Sequence, residues 1–186
     1  MKHVINETVF SNRYQIRKLH KDDSEMIYDL CKDNVLYYRY CPPFVSFESI
    51  KEDLEALPPG TVSGQKYFVG YFDNNKLVAI MDLIDAYPKE EIVFIGLFMI
   101  DKKYQGKGVG SLIIDDLKAY LKKTGYMAIR LAWIKGNPQA EHFWLKNGFC
   151  PLEERKSLDG HLVIYGEYRL KKEAEASKQE WLRQRL

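Results

Sequence analysis

Three glycines alternate at positions 106, 108 and 110, between an apolar strand-like run and a run with helical spacing. Glycine adopts backbone conformations that other residues avoid, and it lets a bulky anion approach the main chain. The first N–H groups of a helix have no intrahelical partner, and the helix dipole favours negative charge there. The segment therefore predicts a phosphate- or pyrophosphate-binding turn, and three lysines add positive charge to it: Lys102, Lys103 and Lys107.

Two well-known glycine-rich turns do not match this spacing. A dinucleotide-binding turn needs GxGxxG and an acidic residue about 20 positions further on. Here the glycines follow GxGxG, and the next strand ends at Leu131-Ala132-Trp133 without a carboxylate. The GxxxxGK[ST] pattern of a P-loop is also missing from the sequence. On these residues alone, a turn that serves only to reverse the chain stays open as an alternative.

Apolar periodicity and turn residues predict a mixed α/β order of elements. A strand–helix–strand unit spanning 91 to 133 implies a parallel pair joined by a right-handed crossover, and the preceding strands resemble an antiparallel meander. We therefore expect one sheet with helices on both faces. In chain order, we predict a strand at 14–18, helices over 26–31 and 46–57, strands at 66–72, 76–84 and 91–100, a helix over 111–123, a strand at 127–133, a helix ending at 146, and strands at 149–152 and 161–170.

Composition indicates an ordinary globular domain. The 186 residues are 46% hydrophobic, which is enough for a core, and we expect a single domain over 1–170. The charged tail at 171–186 is predicted to be helical and peripheral, and it could serve a homodimer contact. The net charge of +2 does not favour nucleic-acid or membrane binding. Neither a signal sequence nor an apolar run of membrane-spanning length is visible, so we expect a cytoplasmic protein.

The cysteines do not predict a disulfide framework or a zinc site. They are odd in number, far apart and lack CxxC spacing, so we expect reduced thiols and no metal. The residues concerned are Cys31, Cys41 and Cys150, and the last of these is predicted to be a small core residue.

Two signatures resemble the GNAT superfamily of N-acetyltransferases. Gln105-Gly-Lys-Gly-Val-Gly110 is similar to the Q/R-x-x-G-x-G/A motif of that family. Downstream, Asn137-x-x-Ala140, the pair Phe143-Trp144 and Gly148-Phe149 are similar to its second signature. The resemblance covers roughly residues 14 to 170. It implies a GNAT-like mixed, mostly antiparallel sheet of about six to seven strands, with helices on both faces and a splayed central parallel strand pair.

The resemblance also implies a binding site for coenzyme A. Backbone N–H groups of the glycine turn would bind the pyrophosphate, and the pantetheine arm would lie in the gap between the splayed strands like an added strand. A free N–H near Ile100 would point at the thioester carbonyl, and Asn137 would contact the arm from the other side. The implied coenzyme-binding residues are Phe98, Met99, Ile100, Gln105, Gly106, Lys107, Gly108, Val109, Gly110, Ser111, Asn137, Ala140 and Phe143.

The function implied by the resemblance is transfer of an acetyl group from acetyl-CoA to a primary amine of a small molecule or peptide. A protein-lysine acetyltransferase is disfavoured, because the chain is short and its charge nearly balanced. The alternative is a coenzyme A-binding regulatory or structural module without turnover. The sequence departs from the family pattern at two positions that motivate this alternative: Trp144 stands where many members carry a Tyr acid, and Phe94 where some carry a Glu base.

No general acid or base follows from the motifs. The candidates near the expected acceptor site are Asp82 and Glu91, although strand-end carboxylates are more often solvated charges. His142 on the short helix is more often a surface residue. The acceptor pocket is expected to form largely from residues 19–60, where aromatic side chains suit a flat or cationic acceptor: Tyr28, Tyr37, Tyr38, Tyr40 and Phe44.

Overall fold

The structure is a computed structural model, and it describes residues 5–157 and 160–171. Within them the chain forms seven strands and five α-helices. In chain order these are β1 Gln15–Lys18, α1 Ser24–Cys31, α2 Val35–Tyr40, α3 Phe47–Glu55, β2 Lys66–Asp73, β3 Lys76–Ile84, β4 Ile92–Ile100, α4 Val109–Lys123, β5 Ala128–Ile134, α5 Pro138–Lys146, β6 Cys150–Lys156 and β7 Leu162–Arg169.

The seven strands form one sheet in the order β1-β2-β3-β4-β5-β7-β6. All neighbouring strands are antiparallel except β4 and β5, which run parallel and are joined through α4. The predicted meander and the predicted parallel pair are therefore both confirmed. The sheet is mixed and mostly antiparallel, as the resemblance implied.

Each face of the sheet carries its own apolar core. On one face, α4 and α5 pack with residues such as Ile113, Leu117 and Trp144 against inward side chains of the central strands. On the other face, α1 and α3 contribute Ile27 and Ile50. The two groups of helices therefore cover opposite sides of the same sheet, and we call these the α4 face and the α1 face.

Local residue chemistry explains where several elements begin and turn. Asn74 and Asn75 adopt φ of 48° and 65° in the β2–β3 hairpin, a conformation that Asn tolerates well. The side chain of Ser46 accepts a hydrogen bond from the Ser49 amide and caps α3. Pro138 occupies the first turn of α5, where its missing N–H costs no hydrogen bond.

Some sequence-based expectations need correction. The prediction missed α2, and α4 begins at Val109 rather than at residue 111. Cys150 is exposed rather than a core residue, because β6 is an edge strand whose residues all lie exposed, and Phe149 takes the buried position instead. Apart from Lys171, the tail predicted to be helical, residues 172–186, lies outside the described residues.

Candidate active site

A gap opens in the centre of the sheet. The parallel ladder between β4 and β5 runs from Ile92–Ala128 to Ile95–Leu131 and ends there. Beyond that point β4 continues along β3 to Ile100, while β5 continues along β7 to Ile134. The two strands therefore splay apart at their carboxyl ends, and main-chain groups on both sides of the gap lie open to a ligand that can pair like a strand.

A bulge in β4 lies at the start of this gap. Asp82 of β3 pairs with Leu97 and Leu83 pairs with Ile95, so Gly96 is an additional residue in β4. Ile95 and Phe98 consequently pack into the α4-face core, whereas Leu97 packs into the α1-face core. The bulge therefore changes which face of the sheet the side chains of β4 point to, at the position where β4 separates from β5.

A cleft of about 590 Å³ fills the gap. It is lined by all but one of the predicted coenzyme-binding residues. From the strand end and the turn come Phe98, Met99, Ile100, Gln105, Gly106 and Gly108. From the two helices come Val109, Gly110, Ser111, Asn137, Ala140 and Phe143.

Lys107 is the predicted residue that lies outside this cleft. Its side chain is exposed and borders a separate surface groove together with Lys103 and Tyr104. That groove also contains several carboxylates of the α1 region, such as Asp29 and Asp33. The side chain of Lys107 therefore lies beside the cleft rather than in its lining.

The turn before α4 presents its main chain openly. Gly106 and Gly108 adopt φ of 72° and 80°, a conformation that strains residues with a side chain. Within the described residues, a Cβ at either position would meet no heavy atom within 4 Å. These two glycines are therefore required by their backbone conformation, and they leave space beside the main chain.

The N-terminus of α4 points its amides into this space. Gly108 is the N-cap and has no side chain that could cap the helix. The Leu112 amide is the first to bond back, to the Gly108 carbonyl at 3.1 Å. The amides of Val109, Gly110 and Ser111 are thus left for an external acceptor, with the helix dipole behind them. This arrangement suits an anion.

Gly110 has a different role from the other two glycines. A Cβ there would lie 2.5 Å from Cδ1 of Ile100 and 2.9 Å from Cε2 of Phe143. Glycine is therefore needed so that α4, the end of β4 and α5 can pack closely. The alternation of three glycines combines two positive-φ positions with one packing position.

Gln105 is held by contacts within the protein. Its Nε2 donates to Oδ1 of Asn34 at 2.6 Å and to the carbonyl of Ile100 at 3.0 Å. Asn34 in turn donates from Nδ2 to the carbonyls of Leu30 and Ile100. This buried network ties the end of α1 and the start of α2 to the glycine turn. Asn34 has no local signal in the sequence, because its partner Gln105 lies 71 residues away.

The opposite wall of the cleft is formed by α5. Asn137 is 4% exposed, and its Oδ1 accepts the amide of Ala140 at 3.2 Å, so it caps the helix. Phe143 and Trp144 pack against Phe98 with tilted rings, whose centroids lie 5.8 and 6.1 Å from that of Phe98. The indole of Trp144 has only an N–H donor, so it cannot replace a phenol as an acid near neutral pH.

The two carboxylates named as candidates lie in very different places. Glu91 is exposed and precedes the end of β4 that pairs with β5, away from the gap. Asp82 lies opposite the bulge and forms an ion pair with Lys66, with Nζ 2.7 Å from Oδ2. Burial raises the pKa of the Asp82 carboxyl, and the hydrogen bond from Lys66 opposes that shift. Asp82, unlike Glu91, lies next to Gly96 at the start of the gap, although it does not itself line the cleft.

Two further aromatic residues border the cleft: Tyr37, which the sequence placed in the expected acceptor pocket, and Trp133, which it did not indicate. Tyr37 of α2 reaches it, and burial raises the pKa of its phenol. Trp133 of β5 lines it too, and its buried Nε1 has no hydrogen-bond partner among the described residues. Of the aromatic residues predicted for the acceptor pocket, Tyr28 instead stacks on Phe47 at 5.0 Å. An unpaired indole N–H beside a cleft is a donor available to a ligand.

Metal-binding clusters and membrane spans are both missing from the described part of the chain. Across residues 5–157 and 160–171, no cluster of three or more His, Cys, Asp or Glu residues is placed to hold a metal ion. Over the same residues, each helix is too short or too polar to cross a bilayer.

Three solved structures with the same architecture are acetyltransferases. An acetyltransferase from Thermus thermophilus superposes with a TM-score of 0.68 at 18% identity, covering 83% of this chain and 96% of that one. Spermidine N-acetyltransferase from Vibrio cholerae, in complex with CoA and spermine, gives 0.64 at 19% identity, with 86% and 97% coverage. The ribosomal-protein-S18-alanine N-acetyltransferase from Escherichia coli gives 0.60 at 17% identity, with 87% and 97% coverage. The fold is therefore that of the acetyltransferases.

The sequence leads to the same class. A family model described as the acetyltransferase (GNAT) family matches residues 26–149, which is two thirds of the chain. The chain belongs to the GNAT acetyltransferase family. No curated protein sequence matches it significantly.

Proposed function

We propose that this protein transfers an acyl group, in the first place acetyl, from acyl-CoA to a primary amine of a small molecule or peptide. One observation carries the proposal: an open glycine turn and the uncapped N-terminus of α4 lie at the mouth of a gap between two parallel strands. A pyrophosphate and an extended pantetheine arm have the charge and the shape that these two features accept.

Coenzyme A would be held mostly by main-chain groups. The amides from Gly106 to Ser111 would bind the pyrophosphate, and the main chain of Phe98, Met99 and Ile100 would pair with the arm. Ala140, Phe143 and Asn137 would border it from the α5 side. Gln105 would act indirectly, because its side chain already fixes the turn to Asn34 and Ile100.

The reaction needs positioning, a stabilised oxyanion and a proton acceptor. A neutral amine would attack the thioester carbonyl carbon, the C–S bond would break, and the thiolate of coenzyme A would leave. An N–H of β4 at the gap would stabilise the negative charge on the carbonyl oxygen. Trp144 and Phe94 supply neither the usual acid nor the occasional base, so the thiolate would take its proton from water. Holding both reactants in one cleft would itself contribute much of the rate.

The amine acceptor is proposed by chemical class only. Structural neighbours include an enzyme crystallised with spermine and one named for an alanine of a ribosomal protein. The described lining of the cleft is largely apolar and aromatic on the Tyr37 and Trp133 sides. This lining supports an acceptor that carries an apolar or aromatic group next to its amine.

Thiol release tests the proposal. Purified protein is mixed with acetyl-CoA and each of four amines: benzylamine, tyramine, spermidine and an alanine-starting pentapeptide. We expect steady thiol release with at least one of them, and mass spectrometry should show the acetylated amine. Failure of acetyl-CoA to bind at millimolar concentration would contradict the proposal, as would binding without transfer to any of the amines.

A non-catalytic coenzyme A-binding module is the second candidate. The side chains at Trp144 and Phe94 favour it, because both positions lack a group that can transfer a proton. Both candidates predict that coenzyme A binds in the same cleft. Only the enzyme consumes the thioester, so the same assay separates them.

A further inference from the structure

A buried carboxylate lies directly behind the wall of the cleft. Asp82 of β3 is the cross-strand neighbour of the bulge in β4. A Cβ on Gly96 would lie 2.9 Å from Oδ2 of Asp82, so a glycine is needed there to admit the carboxylate. Gly96 itself lines the cleft. The bulge therefore sets a carboxylate next to a stretch of cleft wall that has no side chain.

One oxygen of this carboxylate is paired and the other is not. Nζ of Lys66 donates to Oδ2 of Asp82 at 2.7 Å and to the carbonyl of Ala56 at 2.9 Å. Oδ1 of Asp82 is buried, and among the described residues it has no hydrogen-bond partner. Leaving a buried acceptor unpaired is costly, and such groups gather where a ligand or water completes them. Oδ1 is therefore the oxygen of Asp82 that can still accept a hydrogen bond, while Oδ2 is held by Lys66.

Two charged groups face Asp82 from the elements packed on it. Lys66 of β2 is 6% exposed at its side chain, and its hydrogen bond lowers the pKa of the Asp82 carboxyl. Asp53 of α3 lies nearby, and burial raises the pKa of its carboxyl. Burial also raises the pKa of Asp82 above its usual value. A carboxyl group whose pKa lies above its usual value is a stronger proton acceptor than an ordinary Asp side chain.

Two other carboxylates in the same region already have hydrogen-bonding partners. Glu167 of β7 is buried and bound by Arg130 and Arg169. Asp85, just beyond β3, accepts the phenol of Tyr126 at 2.5 Å. Neither has an unpaired buried oxygen in the described chain.

We infer that Asp82 is the general base of the transfer reaction and accepts a proton from the acceptor ammonium group as it enters the cleft beside Gly96. This inference rests on the proposed function. The acceptor arrives as R–NH3⁺, and Asp82 takes one proton, either directly or through one water. The resulting amine forms the C–N bond as the C–S bond breaks. The second proton leaves the nitrogen for water, the thiolate is protonated by water, and Asp82 returns its proton to water. The net products are the acetylated amine, coenzyme A and one proton.

The test compares Asp82→Asn with Asp85→Asn as a matched control. Each change replaces a carboxylate at the end of β3 with an amide of the same size. The acceptor is the amine of the four-member panel that the unaltered protein acetylates fastest. We expect Asp82→Asn to lower kcat by about 10²- to 10³-fold, with the Kd of acetyl-CoA changed by less than about twofold. Asp85→Asn should leave kcat within about threefold of the unaltered protein.

The pH profile separates a base from a residue that only supports the fold. The deficit of Asp82→Asn should shrink as pH approaches the pKa of the acceptor amine, because neutral amine then arrives without the base. Lys66→Met should move the acidic limb of kcat/KM to higher pH, since loss of the ammonium raises the pKa of Asp82 further. A purely structural role would lower activity equally at all pH values and leave that limb in place.

Each outcome supports or overturns a stated claim. An Asp82→Asn protein that binds acetyl-CoA normally and keeps kcat within about threefold overturns the inference while leaving the proposed function intact. A deficit that is constant with pH, or an acidic limb unmoved by Lys66→Met, overturns it as well. Absence of transfer by the unaltered protein with every amine overturns the proposed function, and the inference fails with it.

Discussion

Two features of the backbone meet at Gly108. Its φ of 80° is a left-handed conformation, and it is also the N-cap of α4. Gly60, in the loop after α3, has φ of 81°, and a Cβ there would likewise meet no heavy atom of the described residues within 4 Å. The two glycines therefore match in φ and in open surroundings, but only Gly108 lines the cleft.

We predict that Gly108→Ala and Gly60→Ala destabilise the fold to a similar extent, by about 1–2 kcal/mol each, because both force a Cβ into the left-handed region. Only Gly108→Ala should weaken acetyl-CoA binding, by about tenfold or more, since the turn amides would shift and the space beside them would be filled. Chemical denaturation and calorimetric titration measure the two effects. Equal acetyl-CoA affinity in both variants would contradict the role of the turn.

Trp144 is the residue that most clearly departs from the family pattern. It is 8% exposed and contacts Phe143 and Phe149 at centroid distances of 4.9 and 5.1 Å. We predict that Trp144→Phe lowers stability by about 1–2 kcal/mol through lost aromatic burial, while kcat stays within about threefold. Steady-state kinetics and thermal unfolding check this. A loss of kcat above about tenfold with intact acetyl-CoA binding would show that the indole N–H takes part in the reaction.

At the scale of elements, the α1–α2 connection is joined to the glycine turn through one pair of side chains. Asn34 is 8% exposed, and it bonds Gln105 as well as carbonyls of Leu30 and Ile100. The helices that cover the α1 face thereby share a hydrogen-bond network with the glycine turn of the proposed coenzyme site. This network couples the two sides of the cleft.

We predict that Asn34→Ala and Gln105→Ala each raise the Kd of acetyl-CoA about three- to tenfold, because either change loosens the turn. The double variant should be no weaker than the worse single variant, which corresponds to a coupling of about 1 kcal/mol. Calorimetric titration of the four proteins measures it. Effects that simply multiply would show that the two residues act independently.

Helices α4 and α5 and the end of β4 pack closely around Gly110. Gly110→Ala places a methyl group 2.5 Å from Cδ1 of Ile100, so it should destabilise the protein by about 1–3 kcal/mol. Ile100→Val removes that Cδ1 atom and should recover part of the loss in the double variant. Denaturant unfolding tests it, and a double variant as unstable as the sum of the two single variants would contradict the contact.

The sequence predicted most elements because their signals are local. The run from 76 to 84 was predicted with the bounds that β3 has, and Asn137-Pro138 marked the start of α5. The prediction missed α2, because Val35–Tyr40 is a six-residue helix rich in tyrosine, too short to show a helical period. It also placed Cys150 in the core, because a one-strand pattern does not reveal which strand lies at the sheet edge.

At the scale of the whole molecule, the candidate site also has one part with local sequence signals and one part without them. The residues that line the cleft from the glycine turn and α5 were predictable, because two contiguous signatures contain them. The position of Asp82 was not predictable, because it depends on strand register and on contacts between distant residues: Lys66 and Asp82 are 16 residues apart, and the bulge at Gly96 lies opposite Asp82. From residue type alone, Asp82 and Glu91 were equally good candidates for a base. The strand register distinguishes them, because it places Asp82 beside the bulge and Glu91 at the opposite end of β4.

Ligand binding should stabilise the fold, because the cleft is assembled from both helical layers and so exists only in the folded chain. A ligand at about 100 times its Kd adds about 2.7 kcal/mol, which corresponds to a rise in Tm of roughly 5–10 °C for a chain of this size. We predict such a rise with acetyl-CoA for the unaltered protein and a much smaller one for Gly108→Ala at the same concentration. Differential scanning calorimetry measures both. An equal rise in the two proteins would place the binding site elsewhere.

The most direct measurement is a crystal structure of the protein grown with coenzyme A. We predict the pyrophosphate within hydrogen-bonding distance of the amides between Gly106 and Ser111, and the pantetheine arm between β4 and β5 with its thiol near Gly96. A pyrophosphate bound in another groove, or a cleft closed by side chains while coenzyme A binds elsewhere, would contradict this prediction.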